Sequence, residues 1–76
     1  MTYLQGKLLV AFHERHQSLL SDGYRDIINS NNDKWHYIKM HHNNGTYISL
    51  TAYYDDNSII QRTNGKVTHC EKVCKP

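Results

Sequence analysis

From Trp35 to Tyr54 the residues alternate in character on either side of an Asn43-Asn44-Gly45 segment, and this restricts the fold more than any other feature of the chain. Ile38, Met40, Ile48, Leu50 and Ala52 share one parity. Trp35, Tyr37, Lys39, Tyr47, Ser49, Thr51 and Tyr53 share the other. A period of two marks a strand whose two faces meet different surroundings. The Asn-Gly pair supplies the positive φ angles of a tight turn, so the stretch reads as a β-hairpin. One face is aliphatic and the other polar-aromatic, and a slip of one residue in register would exchange them.

The flanking segments extend the hairpin into a sheet and place a helix before it. Thr2 and Gln5 stand in capping-box relation, and Leu4, Leu8, Ala11, Phe12, Leu19 and Leu20 recur at helical spacing, which predicts a helix from Tyr3 to Ser21. Lys7, His13, Glu14 and Gln17 fall on its solvent side, while Leu9 and Val10 are expected to broaden the buried stripe. Asp22-Gly23 ends the helix, because glycine there takes the left-handed conformation that satisfies the last carbonyls. Tyr24 to Asn29 reads as a first strand, with continued helix as the rival, and Ser30-Asn31-Asn32-Asp33 as the turn into the hairpin. Asp55-Asp56-Asn57 and Thr63-Asn64-Gly65 mark two further turns, which bound strands at Ser58 to Arg62 and Lys66 to Val73. The expected fold class is α+β, with one N-terminal helix packed on a four- to five-stranded antiparallel meander sheet. Cys74 to Pro76 are expected to fray.

With 76 residues the chain reads as a single small domain, 1–76. A domain of this size buries only about 60% of its unfolded surface. One helix covers one face of such a sheet and leaves the other to water, a second subunit or a partner. The formal charge is +2, and Lys7, Arg15, Lys34, Lys39, Arg62, Lys66, Lys72 and Lys75 are scattered without a basic run. That pattern argues against a dedicated duplex-DNA binder, whose affinity rests on neutralising many phosphates. The longest apolar run, Leu8-Leu9-Val10-Ala11-Phe12, falls far short of the roughly 20 residues of a membrane span. No cleavable signal pattern follows it, and a cytoplasmic protein with no membrane association is expected. Cys70 and Cys74 are too few for a secreted disulfide scaffold and are expected to remain thiols.

Few residues combine into recognisable chemistry. His13-Glu14-Arg15-His16 falls one residue short of the zinc-protease helix signature. A metal held by His13, His16 and His69, with Cys70 and Cys74 as further ligands, is the weakest of three functional readings, since two cysteines four apart on a strand lie roughly 13 Å from each other. His41 and His42 invite a pH-switch or metal reading, but adjacent strand residues point to opposite faces. Asp22, Asp33, Asp55 and Asp56 occupy caps and turns, where local hydrogen bonding occupies them. No nucleophile stands beside a base, so neither an enzyme nor a cofactor is expected.

The polar-aromatic sheet face is the distinctive feature. Trp35, Tyr37, Tyr47 and Tyr53 with Lys39 place amphipathic rings where a single helix cannot cover them, and such rings are enriched in recognition hot spots. The plain alternative is that they pack on one another as cross-strand pairs. The expectation is a small non-enzymatic protein-binding module, an inhibitor or adaptor such as a phage or mobile element encodes. It would use the open face or an edge strand toward another protein or a second copy, giving a homodimer. The alternative is single-stranded nucleic-acid binding, with the same rings stacking bases and Lys34, Lys39, Arg62 and Lys66 meeting phosphates.

Overall fold

The structure, a computed structural model, describes residues 6–73. Helix α1 (Gly6–Ser21) is followed by strands β1 (Arg25–Asn31), β2 (Trp35–His41), β3 (Tyr47–Tyr53), β4 (Ser58–Thr63) and β5 (Lys66–Lys72). The strands form one antiparallel sheet in the order β1-β2-β3-β4-β5, so the meander and the helix-on-sheet arrangement both stand as expected. After Tyr24 the chain enters a strand at Arg25 rather than continuing the helix, and that strand runs on through Ser30 and Asn31. The first turn is correspondingly shorter than the Ser30 to Asp33 cluster implied. Asn32 Oδ1 accepts from the Lys34 and Trp35 amides at 2.8 and 2.9 Å, and the turn closes around that side chain.

Helix α1 lies across β3 and β4 on what is here the inner face. Leu8, Phe12 and Leu19 meet Ile38, Met40, Ile48, Leu50, Ala52 and Ile59, and Met40, Leu50, Ala52 and Ile59 are wholly buried. Parity therefore assigned the two faces of the central hairpin correctly. Leu9 and Val10 do not broaden the buried stripe: they are 44% and 56% exposed. At about 100° per residue, Leu9 and Val10 are rotated well away from the arc that Leu8, Phe12 and Leu19 define, and the narrow sheet beneath cannot wrap that far. The capping box at Thr2 and Gln5, the first turn from Tyr3 with Leu4, and the tail including Cys74 lie outside the described residues.

The helix ends as glycine dictates. Gly23 has φ +104°, its amide donates to the Leu20 carbonyl, and the Tyr24 amide donates to that of Leu19, both at 3.1 Å. The β2–β3 connection differs from the tight Asn-Gly turn expected. Only Gly45 has positive φ there, Gly45 N donates to the His42 carbonyl, and His42 N donates to that of Thr46. This is a three-residue loop with glycine at the left-handed position, a form that leaves the parity of the hairpin intact. The two-residue turn with both φ angles positive occurs instead at Asn64-Gly65, between β4 and β5.

Candidate functional site

Residues directly opposite in an antiparallel pair point to the same side, so the registers sort the open face into rows. Arg25, His41 and Tyr47 form one. Ile28, Lys39, Ser49, Arg62 and Val67 cross all the strands in the next. Ser30, Tyr37, Thr51, Ile60 and Cys70 make the third, and Trp35, Tyr53, Ser58 and Lys72 the last. The residues singled out from sequence for protein contact, Trp35, Tyr37, Lys39, Tyr47 and Tyr53, are on this face.

The ring contacts follow the plain alternative only in part: Trp35 meets Tyr37 on its own strand, and the cross-strand partner of Tyr47 is His41. Trp35 and Tyr37 meet edge to face with centroids 6.2 Å apart, and His41 lies 4.4 Å from Tyr47. Lys39 Nζ rests 5.3 Å from the centre of the Tyr47 ring. Thr51 and Ser58, although on the outward side, are each only 4% exposed. A groove of about 420 Å³ is lined by Tyr37, Lys39, Tyr47, Ile48, Ser49, Arg62, Asn64 and Gly65. Its wall at Asn64 is fixed to β3 twice: Asn64 N donates to the Tyr47 carbonyl at 2.8 Å, and Tyr47 N donates to Asn64 Oδ1 at 3.0 Å.

Charge divides between the two faces. Arg25, Lys39, Arg62 and Lys72 occupy open-face rows, while the strand carboxylates Asp26 and Glu71 pair with Met40 and Ile59 on the inner side. Asp26 accepts from His16 Nε2 at 2.8 Å, and Glu71 lies 3.2 Å from His69 Nε2. Among the described residues no carboxylate pairs with Lys39 or Arg62. Arg62, Ser49 and Asn64 were not in the set chosen from sequence as the site. The signals that find them are the β2–β3 and β3–β4 registers, which place Ser49 opposite Lys39 and Arg62 respectively, and the hydrogen bonds that tie Asn64 to Tyr47.

The histidines suggested as metal ligands are not brought together. His13 is exposed on the helix, His16 turns to β1, and His69 turns to Arg15, whose Nη2 is 2.8 Å from its Nε2. Among the described residues no group of three or more His, Cys, Asp or Glu side chains is arranged to hold a metal ion. His41 and His42 also part: His41 joins Tyr47, whereas His42 Nε2 donates to the Asp22 carbonyl at 3.1 Å and its ring meets Tyr24. His36, on the inner face, donates from Nε2 to Asn29 at 2.7 Å, and burial, with His16 nearby, lowers its pKa below the ordinary value. Cys70 is an exposed thiol. No helix among the described residues is long and apolar enough to cross a membrane.

Comparison with protein-family models, with curated proteins and with solved structures found no match.

Proposed function

We propose that the chain is a non-enzymatic protein-binding module of the inhibitor or adaptor kind, acting inside the cell, and that its open sheet face makes the contact. The observation that carries this reading is the uncovered face itself: Trp35, Tyr37 and Tyr47 share it with Ile28, Ile60 and Val67, and Tyr37 and Tyr47 line a pre-formed groove in it. Aromatic and aliphatic side chains held rigid by one another lose little entropy on binding, which is the property of interface anchors. Like charges favour a foreign partner over a second copy, because two such faces would bring Arg25, Lys39, Arg62 and Lys72 against their own kind.

Single-stranded nucleic acid is the rival, favoured by the cations Lys39 and Arg62. Two features weigh against it. Lys66 pairs with Thr63 in an inner-face row, so the four basic residues do not form one track. The Tyr47 ring also already has His41 and Lys39 against it, leaving less of it free to stack on a base.

Immobilised protein and its Tyr37→Ala and Tyr47→Ala variants, exposed to a lysate of the source organism with and without nuclease, provide the test. A bound protein that resists nuclease and is released by Tyr37→Ala is expected, with a loss of roughly 2 kcal/mol or more once the partner is purified. Retention of RNA or single-stranded DNA, with affinity falling steeply in salt, would overturn the reading.

A further inference from the structure

We infer that the groove above Ser49 seats a carboxylate of the partner, so that the open face recognises an acidic peptide segment; this rests on the protein-contact reading above. Lys39 and Arg62 flank Ser49 in one row on adjacent strands. Neighbouring strands are about 4.8 Å apart, which sets the two cation-bearing backbones about 10 Å from each other. Long basic side chains can close on a single oxyanion from both sides across that gap. Arg62 offers the paired N–H donors that match a carboxylate, and the Ser49 hydroxyl offers another from beneath.

The surroundings select for charge. Among the described residues no acidic side chain lines the groove, and the strand carboxylates Asp26 and Glu71 belong to the inner face. Lys39 is held by the Tyr47 ring rather than by a carboxylate, which leaves its ammonium uncompensated by any described acid. An incoming carboxylate therefore displaces no existing ion pair. The groove is also already built, since Asn64 ties its wall to Tyr47 through two hydrogen bonds.

On the Tyr37 side of the seat the charge does not continue, and along that direction a peptide fits better than an oligonucleotide. The row beyond is Ser30, Tyr37, Thr51, Ile60 and Cys70, which carries no cation, so a second phosphate one step along would find none in it. One acidic side chain beside an apolar or aromatic neighbour matches a two-cation seat bordered by Tyr37 and Tyr47.

The test follows backbone amide shifts of the labelled full chain at low salt. The probes are a short peptide alternating glutamate and tyrosine, its glutamine counterpart, and a short oligothymidylate. The acidic peptide should perturb Lys39, Ser49 and Arg62, and the glutamine peptide should bind on the order of tenfold more weakly. Arg62→Glu should abolish the response and Arg62→Lys reduce it, with Lys39→Glu as the second reversal should Arg62→Glu fail to fold. Equal binding of both peptides would overturn the carboxylate seat and leave the protein-contact reading standing. Tighter binding of oligothymidylate at the same residues would overturn both. Absence of shifts at Ser49 with the acidic peptide at millimolar concentration would also sink the inference.

Discussion

His36 shows how one side chain can make this small domain sensitive to pH. Its ring packs on Phe12 with centroids 5.2 Å apart, and its Nδ1 is buried without a hydrogen-bond partner among the described residues. Desolvation is the main reason its pKa lies below 6.5, and repulsion from His16 adds to it. The unfolded chain thus binds more protons than the folded one on the acid side of neutrality. The contribution is fully present above the unfolded value of 6.5 and is lost as pH falls from there through the folded value. Thermal melts between pH 8 and pH 5 should show a falling midpoint, and His36→Gln should flatten the part of that slope that belongs to this residue. An unchanged slope in the variant would show that other groups carry the acid sensitivity.

At the scale of elements, the joint between α1 and β1 is where sequence and structure agree most closely. Gly23 was legible as a helix stop because only a residue tolerant of positive φ can return the last amides to the Leu19 and Leu20 carbonyls. An alanine there would take a strained conformation, and its Cβ would come within 2.9 Å of His42 Nε2, which bonds the Asp22 carbonyl. Gly23→Ala should cost about 1–2 kcal/mol, seen as a lower melting temperature with the fold retained. A variant as stable as the parent would mean that the joint relaxes at no cost.

Elsewhere legibility followed the strength of alternation. The central hairpin declared its faces because Ile38, Met40, Ile48 and Leu50 are unambiguous in parity. Strands β1 and β5 are mostly polar, and each carries a register shift, near Ile27 in β1 and opposite Gln61 and Arg62 in β5, which no periodicity could reveal. Turn type was equally hidden: Asn-Gly occurs at both Asn44-Gly45 and Asn64-Gly65, yet only the second takes two positive φ angles. Of the candidate site, the rings and Lys39 were visible as a parity set. Arg62 was grouped with them from sequence only as a phosphate contact, and its place beside Ser49, like that of Asn64, came through the pairing of β4 with β3, whose register depends on the geometry of the Tyr54 to Asn57 turn.

For the molecule as a whole, the open face raises a question of association. A single helix on a single sheet leaves aromatic surface in water, and the commonest remedy is a symmetric dimer. Here the strand cations Arg25, Lys39, Arg62 and Lys72 share that face, while Asp26 and Glu71 lie on the other. A twofold axis through the open face would set those cations opposite one another with no intervening strand carboxylate, and like-charge juxtaposition weakens such contacts most when screening is least. Light scattering at tens of micromolar should therefore give the monomer mass at low salt, with any association strengthening as salt is raised. A dimer mass at low salt that Tyr37→Ala converts to monomer would show that the face closes on a second copy despite its charge. Persistence of the dimer in that variant would place the association elsewhere, with the exposed edges β1 and β5 as the next surfaces to block.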